Sequence, residues 1–392
     1  MAKKISVGID IGTYQVKVVV AENSGNHKEL PKVIGTGFAE SKGLRHGYII
    51  NAPDVIKSLS QAIKQAEESS GVKIRRAFLS VGGIGLGSIV SQGSIVISRA
   101  DFEIDELDIK KVLEICEKEI PPSFLLNRKI IHTIPLQYKL DGKIVLGKPI
   151  GMRGVKFEAK ILFISCLERH LHDLIEAVEE TGVEVTDVMA SPLAASLVTL
   201  SKTQKIAGCV LANIGAETLS ILVFENNLPI SLEVFSMGST DITNDIALGF
   251  KIPIDEAEHL KRGGISTANF PKKKLDVIIE ARLSDMFELI ETHLKKIGRA
   301  GLLPAGIIIT GGGGGVSLIE DLAKAALRLP SKVAPIKIGD DSKSPFNDSS
   351  WSVAYGLCIF GLTADDQGSV NINNFFKDIL RKIRSLLQQF LP

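Results

Sequence analysis

The chain is poor in the features that fix a fold or a partner by covalent bonds or bulk charge. It has four cysteines in 392 residues, Cys116, Cys166, Cys209 and Cys358, and no two are close in sequence. That spacing excludes a disulfide framework and a CxxC-type zinc site, and it fits a reducing cytosol. Lys and Arg total 46 against 45 Asp and Glu, a net charge of +1. There is no bulk field to draw nucleic acid, which is not expected as a partner, and any contact with a charged surface must be local. No apolar run approaches the ~18 residues of a membrane-spanning helix. Residues 1–4, MAKK, run straight into a strand pattern, so no signal peptide is expected. The remaining composition, 45% hydrophobic and 23% charged, is that of a soluble globular protein with length for several compact units.

Residues 5–11, ISVGIDI, form a buried-strand pattern that turns at Gly12-Thr13 and returns over residues 16–21 as a hairpin. A third strand at 33–38 and a helix over 54–69, capped by Asp54, follow. The texture changes near Phe78, and the inserted stretch is read from residue 80. A Gly-, Ser- and Ile/Val-rich stretch to 98, an amphipathic helix over 105–119 stopped by Pro121-Pro122, and strand-like segments at 129–140 and 156–165 compose a β-α-β-β block. The block reads as an inserted domain, because a helix over 167–181 and a strand–helix pair over 187–195 then resume the α/β pattern. Residues 209–215 and 219–224 repeat the opening strand, Ile-Gly turn and strand, which predicts two homologous lobes facing a shared cleft. Residues 239–296 are mostly helical with a break at 270–274; a buried strand at 306–310 then enters five glycines, 311–315, before a helix over 318–327.

Three Gly-bearing turns at strand ends carry the chemistry: Asp10-Ile11-Gly12-Thr13, Asn213-Ile214-Gly215-Ala216-Glu217-Thr218, and Thr310 with the glycines after it. Phosphates need backbone N–H groups unobstructed by Cβ, and Gly with Thr supplies these plus a hydroxyl donor. The third turn is expected to lead into a helix N-terminus, where N–H groups and the dipole favour an anion. One such turn is only a turn; an ordered triplet over two lobes is a signal.

From Ile372 the chain reads as one amphipathic helix. Phe375, Phe376, Ile379, Leu380, Ile383, Leu386, Leu387 and Phe390 share a face, and Lys377, Arg381, Lys382 and Arg384 lie opposite against the single acid Asp378. Phe and Leu suit the acyl boundary and the basic residues suit anionic headgroups, each worth roughly 1 kcal/mol near such a surface. The polar residues 363–369 before it read as a flexible tether.

The triplet of turns resembles the phosphate-1, phosphate-2 and adenosine motifs of the actin-like ATPases. More narrowly, essentially the whole chain resembles the bacterial cell-division family FtsA. That family carries a small insert, called 1C or SHS2, where residues 80–165 stand; 132–138 (HTIPLQY) and 149–155 (PIGMRGV) are similar to its recurrent signatures. It also ends in a linker and a membrane-targeting amphipathic helix. The resemblance implies an α/β, actin-like (ribonuclease H-like) two-lobed fold with an inserted small β-α-β-β domain. Its divisions would be lobe 1 at 1–79 and 166–200, the insert at 80–165, lobe 2 at 201–238 and 300–361, a helical subdomain at 239–299, a linker at 362–371 and the membrane helix at 372–392.

Carried over by position, the resemblance implies ATP and Mg²⁺ between the lobes. Asp10 would reach the metal through water and is the one candidate for a part in hydrolysis. Gly12, Thr13 and Tyr14 would meet phosphates, with Lys17 at the place of a β-phosphate lysine. Asn213, Gly215 and Thr218 would face the β/γ phosphates, Glu258 and Lys261 the ribose, and Gly311, Gly312 and Gly313 the adenosine. The implied partners are the FtsZ C-terminal tail, captured by the helical subdomain, anionic phospholipid membrane, and further copies of the chain in an oligomer or filament. The implied place is the cytoplasmic face of the cell membrane at the division septum. One departure stands out: Asn213 replaces the usual opening Asp of phosphate-2, and Glu217 adds charge near the phosphates, where it would repel them or act as a metal partner. Asn lacks the anionic oxygen Mg²⁺ prefers, so slow or absent hydrolysis is expected.

Other signals are set aside. Residues 82–87, GGIGLG, have the wrong spacing for a dinucleotide loop. His170 and His172 point in different directions on a helix, and Lys272-Lys273-Lys274 reads as a solvated loop tip. Two rival functions keep the fold: a PilM-like type IV pilus assembly adaptor, distinguished by lacking the tail helix, and an actin-fold kinase or ATPase, which needs a carboxylate base in the cleft.

Overall fold

A computed structural model describes residues 4–23, 30–264, 270–316, 318–334 and 348–365. The tail helix expected at 372–392, with Phe375, Lys377 and the other membrane-facing residues, lies outside them. Among the described residues no helix is long and apolar enough to cross a membrane.

Lobe 1 opens with β1 (Ile5–Ile11), β2 (Gln15–Glu22) and β3 (Lys32–Glu40), a meander of antiparallel neighbours. A small hairpin, β4 (Leu44–Arg45) and β5 (Tyr48–Ile49), leads to helix α1 (Ala52–Ser70) and strand β6 (Arg76–Val81). The cap of α1 is Asn51; Asp54, expected there, sits a turn inside, where its carboxylate meets the positive end of the dipole and accepts from Asn51 Nδ2 at 2.7 Å.

The insert contributes β7 (Gly87–Val96), α2 (Glu106–Lys118), the short α3 (Pro122–Leu125), β8 (Arg128–Leu140), β9 (Lys143–Val145) and β10 (Lys156–Leu167). Its sheet runs β7-β10-β8-β9, so the expected β-α-β-β block gains one short strand. A reciprocal box between Asp105 and Asp108 starts α2, and Ile109, Val112, Leu113 and Cys116 bury its apolar face with Phe157, Ile161 and Phe163. Ser80, assigned to the insert from sequence, lies in β6 of lobe 1.

Lobe 1 resumes with α4 (Glu168–Glu179), β11 (Glu184–Ala190) and α5 (Ser191–Thr199). Lobe 2 follows as α6 (Lys202–Ala207), β12 (Cys209–Ile214), β13 (Leu219–Glu225) and β14 (Leu228–Phe235). The helices α7 (Ser239–Phe250), α8 (Ile254–Lys261) and α9 (Lys272–Lys296) form the expected helical subdomain. Then come β15 (Ile307–Thr310), α10 (Ile319–Leu327), β16 (Ser331–Val333) and α11 (Ser352–Asp365).

The two large sheets share one topology: β11-β6-β1-β2-β3 in lobe 1 and β14-β13-β12-β15-β16 in lobe 2. In each, an antiparallel three-strand meander is extended by parallel strands. The repeat read from sequence is therefore a repeat of sheets.

Helix α11 corrects the assignment of residues 300–361 to lobe 2. Val353, Leu357 and Phe360 belong to the lobe 1 core, with Val7, Ile9, Leu79 and Leu193. The contact is close enough that a Cβ on Gly8 of β1 would come within 2.1 Å of the Ala354 carbonyl oxygen. The helix also runs on through Asp365, so residues 362–365 are helix and not part of the linker expected at 362–371. Thr363 there bonds back to the Ile359 carbonyl at 3.0 Å, which a polar residue can do inside a helix.

Candidate nucleotide cleft

Both sheets end their first strand at the same cleft. On the lobe 1 side, antiparallel register places Asp10 opposite Lys17. The Gly12 N–H closes the turn onto the Gln15 carbonyl at 3.2 Å, leaving Thr13 and Tyr14 at its tip. Asp10 is largely buried and accepts from Ser80 Oγ at 2.7 Å. Burial pushes its carboxyl up, against the pull of the Ser80 bond and of Lys17. Lys17 is only 8% exposed, so it is not a solvated strand residue. Its ammonium donates to the Ser350 carbonyl at 3.1 Å and lies 5.6 Å from the centre of the Trp351 ring. Burial pulls its pKa down, and the charges of Asp10 and Asp348 oppose that.

On the lobe 2 side, Gly215 N–H closes the second turn onto the Thr218 carbonyl at 2.8 Å. The first turn of α7 is fastened to it: Ser239 N–H donates to the Gly215 carbonyl at 2.9 Å and Thr240 N–H to that of Ala216 at 2.8 Å. Asn213 lies beneath the third turn, where a Cβ on Gly311 would come within 2.4 Å of Asn213 Oδ1. Gly311 itself has φ of +89°, a conformation glycine takes without strain, and residues 312–315 form a 3₁₀ turn. Gly311 and Gly312 line the cleft; Gly313, expected with them, packs against Ile214 beneath the turn, and Gly314 and Gly315 reach the cleft instead. The helix expected at 318–327 is observed at Ile319–Leu327, after the 3₁₀ turn of the glycines.

Glu217 departs from both expectations made for it. Its carboxylate accepts from the main-chain N–H of His46 in lobe 1, and it is not among the residues lining the cleft.

From the helical subdomain, Glu258 and Lys261 share a face of α8 as expected and pair at 2.6 Å. Lys261 also donates to the Ser239 carbonyl at 3.0 Å and to Thr243 Oγ1 at 2.8 Å. Burial would raise the Glu258 pKa, but bonds from Lys261, Thr243 and Arg262 outweigh it and bring the carboxyl to about 2. Arg262, not foreseen, reaches across the cleft: its Nη2 donates to Tyr14 Oη at 3.2 Å and its guanidinium carbon lies 5.6 Å from the ring centre.

The structure thus brings Asp10, Gly12, Thr13, Tyr14, Lys17, Asn213, Gly215, Thr218, Glu258, Lys261, Gly311 and Gly312 around one cavity of about 950 Å³. Sequence reasoning missed Ser239, Thr240, Arg262, Asp348 and Ser350, which also line it. A signal existed for the first two, since Gly238-Ser239-Thr240-Asp241 is a helix-start pattern and Asp241 caps the Gly238 N–H at 2.8 Å. The histidines set aside are accounted for: His170 Nε2 lies 3.0 Å from the Gly82 carbonyl and His172 faces Glu176.

Paired sheets of one topology, phosphate-type turns meeting across a cleft and a buried lysine between them define an actin-like fold. Solved structures agree at the level of fold. A PilM–PilN type IV pilus biogenesis complex superposes with a TM-score of 0.66 at 17% identity, covering 91% of this chain and 98% of that one. MreB 5 of Spiroplasma citri bound to AMPPNP gives 0.54 at 12% identity, covering 94% and 98%. Family comparison is more specific. The family described as cell division protein FtsA matches residues 210–356, and the SHS2 domain inserted in FtsA matches residues 83–165. FtsA of Bacillus subtilis (strain 168) is 30% identical over 352 residues, 84% of this chain and 78% of its own. FtsA of Pseudomonas aeruginosa is 28% identical over 390 residues, 93% and 91% respectively. The chain belongs to the FtsA family of cell division proteins.

Proposed function

We propose that this chain is an ATP-binding scaffold of cell division that self-associates and tethers the FtsZ ring to the cytoplasmic face of the membrane through its C-terminal amphipathic helix. The observation that carries the nucleotide part is the buried Lys17 facing Asp10 where the turns of the two lobes converge. Lys17 lines the cleft, and a phosphate bound there would give its ammonium an anionic partner beyond the facing carboxylates of Asp10 and Asp348. The cleft residues suit ATP. N–H groups of the first two turns and the hydroxyls of Thr13 and Thr218 would hold phosphates, Lys17 would neutralise them, and Glu258 with Lys261 would bond the ribose. Asp10, with water and phosphate oxygens, suits a Mg²⁺ ion that keeps most of its hydration; such an ion would neutralise phosphate charge. With Asn213 neutral and Glu217 turned to His46, the second turn supplies no carboxylate to orient a water, so hydrolysis is slow or absent. A nucleotide gripped by both lobes favours their closed arrangement.

The relatives' role in cell division supports the FtsZ and septum parts of this reading, and the pattern of residues 372–392 supports the tether. The test is co-sedimentation with anionic liposomes of the full chain and of one truncated after Gly368, each with and without ATP. Pelleting of the full chain alone is the expected result. If both stay in solution the tether is wrong, and a soluble adaptor takes its place.

A further inference from the structure

Two features stand at the edge of the nucleotide cleft: Glu217, which does not line it, and the glycine-rich run 82–87, which lends it Gly82, Gly83 and Leu86 before leading into the insert. One residue joins them. His46, at the tip of the β4–β5 hairpin with φ of +49°, donates its main-chain N–H to the Glu217 carboxylate, and its Nδ1 lies 3.3 Å from the Glu217 carbonyl oxygen. Its own carbonyl accepts the N–H of Ile84 at 3.4 Å. The next two residues leave no slack. A Cβ on Gly47 would come within 2.5 Å of Gly83 Cα, and one on Gly85 within 2.1 Å of Tyr48 Oη. The Tyr48 ring lies 4.6 Å from that of His170, whose Nε2 is 3.0 Å from the Gly82 carbonyl. The hairpin is therefore wedged between the second phosphate turn and the loop that begins the insert. Just beyond that loop, Ser88 of β7 exchanges two hydrogen bonds with the main chain of Leu232 in β14, at 2.7 and 2.9 Å, fixing the base of the insert to lobe 2.

We infer that the β4–β5 hairpin is a relay that couples the phosphate turn of lobe 2 to the position of the inserted domain. The part played by nucleotide rests on the ATP-binding reading above; the mechanical link does not. Glu217 rides on the turn that meets the β/γ phosphates, so any shift of that turn pulls on His46 through a charge-assisted bond to main chain. His46 passes the shift to Ile84 through its carbonyl, and Tyr48 passes it to Gly85 by contact. At Gly85 the hairpin occupies the space a side chain would need, and Gly83 holds a φ of +88° beside the His46 carbonyl.

The test is hydrogen–deuterium exchange of the full chain, following segments 44–49 and 82–88, in the wild type, Glu217→Ala and Glu217→Gln, with and without ATP. Binding of a fluorescent ATP analogue is measured separately. Without nucleotide, Glu217→Ala should speed exchange in both segments by roughly tenfold, and Glu217→Gln, which keeps an acceptor, should stay close to wild type. ATP should protect 82–88 in the wild type and not in Glu217→Ala. Unchanged exchange at 82–88 in Glu217→Ala, or equal protection by ATP in both, overturns the relay. If the wild type takes up no analogue, the nucleotide reading falls, while the comparison without ATP still decides the link. Unchanged exchange in β10 and α9 shows the fold intact. Should Glu217→Ala not fold, Gly85→Ala pushes on Tyr48 from the other end and must speed exchange at 44–49; no change there overturns the relay equally.

Discussion

Replacing Lys17 with Met separates nucleotide binding from folding, because it removes the ammonium and keeps most of the stem. The ammonium is shut away, with its residue 8% exposed, and its protein partners are the Ser350 carbonyl, the Trp351 ring and the charges of Asp10 and Asp348. A hydrogen bond to a charged group contributes about 1.5–3 kcal/mol. Losing one such bond to a phosphate should therefore weaken ATP about 10- to 150-fold. Stability without nucleotide should move far less. The variant leaves Asp10 without its facing cation, but it also escapes the cost of holding a lysine away from water, and the two offset to within about 2 kcal/mol. The assay pairs titration of a fluorescent ATP analogue with thermal melting of the unliganded chain. A large loss of affinity with a melting shift of a few degrees is expected. Affinity within twofold of wild type would refute the reasoning, and Lys17 would then be a lysine held only for its bond to Ser350.

Restoring Asp at position 213 should raise Mg²⁺-dependent phosphate release; an unchanged rate would mean that the cleft lacks catalytic function for reasons other than this residue. Gly311→Ala should cost about 1–3 kcal/mol and impair ATP binding, because its Cβ would meet Asn213 Oδ1 at 2.4 Å and its φ is +89°; wild-type affinity and melting would contradict the tight turn. His293 should make the chain acid-sensitive. Burial, helped by the charge of Lys296, lowers its pKa to about 4. Ser231 Oγ lies 2.8 Å from Nε2, whereas Glu233 at 3.7 Å from Nδ1 is too far to bond. A histidine with a folded pKa below its unfolded value of about 6.5 stabilises fully above that value. The contribution is lost as pH falls from there towards the folded pKa, about 4. Between pH ~7.5 and ~5 the loss should be roughly 2 kcal/mol, seen as a falling denaturation midpoint that flattens in His293→Gln. Equal slopes in the two would show that His293 is not the group responsible.

What sequence reveals here follows from which groups do the work. The strand–turn–strand units at Asp10 and Asn213 are legible because buried strands and their glycine turns leave a side-chain pattern. Glu258 and Lys261 are legible because helical spacing fixes their common face. The link from Glu217 to lobe 1 is not, since its partner is a backbone N–H that every residue but proline possesses. The burial of Lys17 is equally silent, as the same alternation fits an outward lysine until the opposite strand is known. Gly313 fails for a related reason: five consecutive glycines carry no sign of which ones face a cleft and which face Ile214. Helix α11 announces its burial by being apolar nearly all round, but that says only that it is covered, not which sheet covers it.

The place of α11 has a consequence for how the chain is made. Its residues close over β1 and α5, so β1 waits for a cover synthesised some 340 positions later, as the contact of Gly8 with Ala354 measures. Until then one face of the lobe 1 sheet, with Val19, Ala21 and Phe78, stands open to water. Lobe 1 is thus a unit in space but not in synthesis, and its completion should be among the last events of folding, slow and prone to aggregation when the chain is overproduced or cut short before residue 352.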